Sequence, residues 1–267
     1  MQVTMLGTMG WMPSQRRETT CTACRDGDDL LIFDAGTGLR RLLEPQHAKL
    51  LEDVTTVHLF LSHYHLDHTC GLAYLPAVMP QRRIVLHPPA FEITGVDPTE
   101  AIAGLLRRPY NPKDLAELEA ISIAPLREGS NEVAGHEIRV RRQQHTDTSV
   151  SWRVDDAFVQ ATDTMGDAGT ADFVAGAGLL LHEAWYGATR PGMDTVPEEL
   201  RAGYAAHSEA RQVAGIAASA GVRRLVLIHL NPLMDETELA AMAGDARTVF
   251  PGTELRDDGE TLDPALV

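Results

Sequence analysis

Short apolar or β-branched runs bounded by Gly, Asp or Pro recur along the chain, at residues 3–6, 30–33, 57–61, 84–87, 138–140, 150–154, 158–161, 179–181 and 225–228. Runs of this length and composition predict strands from one end to the other. Residues 21–24, Cys-Thr-Ala-Cys, read as a further strand in which two thiols fill core space. Segments rich in good helix formers predict helices at 37–43, 100–106, 114–119, 208–220 and 236–243. The class is therefore mixed α/β.

No fixed-period repeat, low-complexity tract or Gly/Ser-rich linker interrupts this pattern, so residues 1–267 read as a single domain. The stretch most unlike its surroundings is 88–130, which holds five of the 15 prolines and two helix-like pieces. It reads either as a cap or dimer-contact segment, or as a helical crossover between strands. Apolar runs such as 225–228 fall far short of the roughly 20 residues of a spanning helix, so no membrane association is expected. The N-terminal residues lack the basic segment of a secretory signal, and three cysteines cannot make a disulfide framework. A reducing, cytoplasmic location is expected.

With 23 Lys+Arg against 38 Asp+Glu, the net charge is −15. The average surface repels phosphate backbones, which makes a long nucleic acid a poor default partner. A small anionic ester remains open, because a bound dication can reverse the field inside one pocket.

The chemistry concentrates where the apolar run 57–61 ends, in Ser62-His63-Tyr64-His65-Leu66-Asp67-His68. Four potential ligands occupy six positions, and a strand end turning into a helix can point them into one cavity. Such crowding fits a two-metal site of imidazole nitrogens and carboxylate oxygens around Zn²⁺ or a similar ion. His47, His58, His87 and His136 have no comparable company and read as surface or satisfied core.

His63, His65, Asp67 and His68 match the HxHxDH motif of the metallo-β-lactamase-fold hydrolases, and the chain resembles that family along its length. The resemblance implies a four-layer αββα sandwich of two mixed β-sheets with the metal site at one edge. It implies that Asp34, in Asp-Ala-Gly after an early strand, orients the histidine loop from behind the ligands. His145 in Gln-Gln-His-Thr-Asp would join His63 and His65 on one metal, Asp163 in Thr-Asp-Thr would bridge both, and His229 would complete the second with Asp67 and His68. Two Zn²⁺ ions are the default, with Mn²⁺ or Fe²⁺ as substitutes. The pair Cys21 and Cys24 lacks a second Cys/His pair nearby and is not expected to bind a further zinc.

Two segments point to one branch. His182-Glu183-Ala184-Trp185 is similar to the His-Glu-Ala-Thr element of ribonuclease Z-like phosphodiesterases, with Trp in place of Thr, and Ala206-His207-Ser208-Glu209 is similar to that branch's His-Ser/Thr helix start. The resemblance then implies that His207, at a helix N-terminus, serves as proton donor with Glu183 behind its ring, and that Asp67 steers the proton of the nucleophile. The tRNA-maturing members carry a long arm between the third motif and the bridging aspartate, whereas His145 and Asp163 lie only 18 positions apart. The expected activity is hydrolysis of a small or cyclic phosphodiester. The alternatives are hydrolysis of a carboxylic ester, lactone or thioester on the same site, and a non-catalytic carrier role. The sequence does not fix the oligomeric state, and a homodimer, with 88–130 as a contact, stays open.

Overall fold

The structure, a computed structural model, describes residues 1–187 and 194–266. In chain order the strands of the first half are β1 (Gln2–Gly7), β2 (Cys21–Asp26), β3 (Asp29–Phe33), β4 (Thr56–Phe60), β5 (Arg83–His87) and β6 (Ile121–Ile123). They are followed by β7 (Gly129–Val133), β8 (His136–Gln143), β9 (Ser149–Val154), β10 (Phe158–Ala161), β11 (Leu179–Glu183), β12 (Arg224–Ile228), β13 (Thr253–Leu255) and β14 (Thr261–Leu262).

Side chains alternate across a strand, and here both faces of each central strand are apolar, so both must be covered. On β3, Leu30 and Ile32 join an outer core with Leu39, Leu59 and Leu72, whereas Leu31 and Phe33 join an inner core. That inner core is shared by two seven-stranded sheets, ordered β14-β1-β2-β3-β4-β5-β6 and β13-β12-β11-β10-β9-β8-β7. Aromatic rings lock the sheets together: Phe33 stacks on Phe60 with centroids 4.7 Å apart and meets Trp152 of β9 at 5.3 Å. Helices Ala168–Val174, Ala210–Ser219 and Glu236–Arg247 cover the outer face of the second sheet through Val213, Ala217, Leu239 and Met242. The result is the αββα sandwich.

Both sheets follow one pairing scheme, three antiparallel contacts and then three parallel ones, with β3 and β10 at the corresponding switch points. Ligand sites in α/β sheets form outside the carboxyl ends of strands at such points. The first sheet is completed from the far end of the sequence, since β14 pairs with β1. A buried Arg17 reinforces this closure, donating to both carboxylate oxygens of Glu236 at 2.9 Å and to the Arg256 carbonyl.

Several expected elements differ. The turn at residues 37–43 is a 3-10 helix, and the helix expected at 114–119 shrinks to Leu115–Glu117, because the chain must straighten at Leu118 to enter β6. Of segment 88–130, residues 88–120 form the crossover from β5 to its parallel neighbour β6 and carry helix Pro98–Leu105, started by Asp97 accepting from the Thr99 and Glu100 amides, while the remainder holds β6 and the start of β7. Cys21 lies in the outer core with Ala23 and Cys24 in the inner one, so the two thiols point to opposite faces of β2 and share no metal. Burial pushes the Cys24 thiol up to about 12, as expected of an inert core residue.

Candidate metal centre and active site

The strand ends of the two sheets deliver the expected residues to one place. After β3 the chain turns at Asp34, after β10 at Asp163 and after β12 at His229, with φ of 61°, 50° and 46°. Non-glycine residues seldom adopt this left-handed region, and the cost is accepted where the surroundings over-determine it. Four residues, His63, His65, His145 and Asp163, and three, Asp67, His68 and His229, form groups whose ligand atoms lie within 4.8 Å of one another. His207 joins Asp163 and His229 in a third, overlapping group.

Hydrogen bonds from behind fix the rings. Asp34, fully buried, accepts from the Ser62 amide at 2.8 Å and the Ser62 hydroxyl at 2.9 Å through Oδ1. Its Oδ2 stands 3.0 Å from His68 Nδ1 in a bent contact. A carboxylate oxygen cannot sit that close to a bare ring nitrogen, so Nδ1 carries a hydrogen and Nε2 is the atom turned to the centre. The Ser62 hydroxyl also lies 2.9 Å from His63 Nδ1, and His145 Nδ1 lies 3.4 Å from the Ala206 carbonyl.

Glu183, at the end of β11 and fully buried, accepts from the Thr164 amide at 2.7 Å and lies 2.5 Å from His207 Nδ1. His207 lies before the helix, not at its cap. The helix starts at Ala210, and the Ser208 hydroxyl crosses to the Thr164 carbonyl and accepts from Gly166, which leaves it no helical amide to cap. Trp185 stacks on His207 with planes 13° apart and centroids at 4.3 Å, which is how Trp serves at this position. His47, His58, His87 and His136 stay outside the groups; His58 Nδ1 is 3.0 Å from His87 Nε2, and His136 lies 2.9 Å from Asp155.

Other parts of the site were not foreseen from the sequence. His65 Nε2 meets Asp147 Oδ2 at 2.9 Å. The Trp11 amide donates to Asp67 Oδ2 at 2.8 Å, a link across 56 positions that no local pattern announces. Gly10 packs on His229, and a Cβ there would lie 2.5 Å from its Cε1. A glycine next to the first strand's turn was the available hint.

Burial pushes His63 and His145 toward the neutral form. Burial also opposes charge on His68 and His229, but Asp163 and Asp67 beside them outweigh it and hold both rings protonated, His229 up to about 10. Against the same burial, His68 and His229 hold Asp67 and Asp163 well below the usual carboxylate range, and His207 holds Glu183 at about 2.

A sequence model of the Beta-lactamase superfamily domain matches residues 30–230. The chain belongs to the β-lactamase superfamily. It is a metal-dependent hydrolase of that superfamily and ribonuclease Z-like within it. It is 25% identical to ribonuclease Z of Methanothermobacter thermautotrophicus, over 98% of this chain and 96% of that protein. It is 29% identical to ribonuclease Z of Mycobacterium avium, over 96% of each. Among solved structures the fold is similar to the metallo-β-lactamase fold protein YhfI from Bacillus subtilis, with a TM-score of 0.73 at 21% identity over 98% and 99% of the two chains. Human tRNase Z, short form, superposes with a TM-score of 0.67 at 18% identity over the whole of both chains.

The superfamily fold implies divalent metal, and the donors fit one. His68 and His229 set their Nε2 atoms only 3.3 Å apart beside the Asp67 and Asp163 carboxylates, a convergence of nitrogen and oxygen donors that suits a shared cation. His63 Nε2 is buried and has no hydrogen-bond partner among the described residues. Among the described residues no helix is long and apolar enough to cross a membrane.

Proposed function

We propose that the protein is a phosphodiesterase acting on a small or cyclic phosphodiester at two divalent ions, zinc first and Mn²⁺ or Fe²⁺ as substitutes. His63, His65 and His145 would hold one ion, Asp67, His68 and His229 the other, and Asp163 both. When bound, such ions supply positive charge to the phosphoryl oxygens and make hydroxide available near neutral pH.

The chain's own residues do the rest. Asp67, held in place by the Trp11 amide at 2.8 Å, steers the proton of the water whose oxygen bonds to phosphorus. As the opposite P–O bond breaks, His207 gives its proton to the departing oxygen. Glu183 fixes the ring through Nδ1, so that Nε2 presents that proton to the centre. Asp34 and Ser62 keep the histidine loop from rearranging.

The single observation behind this reading is the Glu183–His207 pair on the wall of the His/Asp centre. Alkoxides leave slowly from phosphorus, so a positioned acid is of most use on a diester. The 18 positions from His145 to Asp163 are taken up by β9, β10 and their connection, which leaves no room for an RNA-gripping arm. A net charge of −15 points the same way. This reading includes a cytoplasmic single-domain protein with three free thiols, and a homodimer through segment 88–130, where Phe91 and Tyr110 stand exposed.

The test is hydrolysis of bis(p-nitrophenyl) phosphate by zinc-loaded protein, with His63→Ala as blank. Turnover lost in the blank, and reduced by roughly 10²-fold or more in His207→Ala at unchanged metal content, is expected. Metal-loaded protein that leaves the diester intact but opens lactones or thioesters would overturn it.

A further inference from the structure

A cavity of about 280 Å³ opens over the candidate centre, lined by Asp67, His207 and His229 on its floor and by Trp11, Tyr204 and Leu233 on its walls. That volume is just under the usual range for small-molecule sites and suits one ring-bearing group, not a folded polymer.

Trp11 is costly where it stands. Its backbone has φ 59°, a region that bulky residues avoid, and the residue is 50% exposed. Both penalties are enforced by the centre itself: the Trp11 amide is bonded to Asp67, and the neighbouring Gly10 is pinned between the His229 ring and the Leu230 carbonyl. The indole therefore stands one side-chain length from the reacting groups, on a backbone that cannot drift. The other aromatic walls are already engaged. Trp185 has its face on His207, and Tyr204 is edge-on to Trp185 and stacked against Tyr186. Among the described residues, Trp11 has no aromatic partner of its own.

We propose that Trp11 is the specificity residue of this site, a platform on which a flat aromatic ring of the substrate stacks. The substrate class is then a small phosphodiester carrying an aromatic or heteroaromatic ring about one sugar away from phosphorus, such as a nucleoside phosphodiester, in preference to purely aliphatic diesters. This rests on the phosphodiesterase reading above. Stacking of a base on an aromatic side chain changes affinity by roughly tenfold or more and tolerates different bases, because every base has a π-face.

The experiment compares adenosine 5′-(methyl phosphate) with 1-deoxyribose 5-(methyl phosphate), which differ only in the base, by phosphorus NMR on zinc-loaded protein. The wild type should favour the base-bearing diester by about tenfold in kcat/KM. Trp11→Ala, which keeps the backbone amide on Asp67, should erase that preference, the larger loss falling on the base-bearing diester, while Trp11→Phe should restore most of it. Equal losses on both substrates, or none, would overturn the proposal. If neither diester is cleaved, the phosphodiesterase reading fails on its own, and calorimetry of AMP against ribose 5-phosphate still decides the platform: tighter AMP binding lost in Trp11→Ala supports it, and equal binding refutes it.

Discussion

Replacing Asp34 by asparagine isolates what its second carboxylate oxygen does. Asn tolerates the left-handed backbone at this position, where φ is 61°. Its amide oxygen can keep both Ser62 contacts, at 2.8 and 2.9 Å, so the loop stays folded. The amide nitrogen, however, would face His68 Nδ1 at 3.0 Å, donor against donor. In the neutral ring that metal binding requires, the hydrogen then sits not on Nδ1 but on Nε2, the atom that lies 2.9 Å from Asp163 Oδ2 and 3.3 Å from both Asp67 Oδ2 and His229 Nε2. A protonated Nε2 cannot bind a metal. Loss of such an outer partner lowers metal affinity by about 10–100-fold, equivalent to about 1.4–2.8 kcal/mol. Asp34→Ala should behave differently: it also removes two charge-assisted hydrogen bonds of about 1.5–3 kcal/mol each, so its main effect is on folding. The assay pairs chelator competition for Zn²⁺ with urea unfolding of the metal-free proteins. Asp34→Asn with wild-type zinc affinity would refute the tautomer reasoning, whatever Asp34→Ala does.

Two further expectations follow from contacts outside that pair. Asp147→Asn removes the carboxylate 2.9 Å from His65 Nε2; because Asp147 is exposed, zinc affinity should fall by only about tenfold or less and the difference should shrink in high salt, and a salt-independent loss would contradict this origin. His87 is held at about 4, first by burial, against an ordinary value of 6.5, so below pH 6.5 the unfolded chain takes up a proton that the native state refuses. Stability therefore falls as the pH drops from 6.5 toward 4, by about 3 kcal/mol from this group. His87→Asn, which can still donate to the Ala124 carbonyl, should flatten that slope in urea midpoints measured between pH 7 and 5, and an unchanged slope would refute the assignment.

The central strands and the histidine loop were legible because their signals are local. Apolar runs must be buried on both faces, and four ligands in six positions have no common alternative use. Edge strands were not legible. β7 reads Gly-Ser-Asn-Glu-Val, β6 has three residues and β14 two, and all three owe their conformation to a neighbour's unpaired backbone and little to their own side chains. The start of helix Ala210–Ser219 was misread because Ser208 is a good cap by type, and only the fold shows its hydroxyl committed to the Thr164 carbonyl. Trp11 and Asp147 escaped for a related reason: one acts through a backbone amide on a distant residue, the other through an exposed carboxylate.

The pairing of β14 with β1 sets an order of events during synthesis. Thr4 meets its partner Thr261 only after 257 further residues have been made. At about 5–20 residues per second, that is a delay on the order of 10–50 s. Through that interval β1 offers a free hydrogen-bonding edge to any passing strand. Six strands of the first sheet, β1 to β6, are thus made by residue 123 and wait with β1 as an open edge while the second sheet is synthesised, and that edge closes only when β14 follows β13.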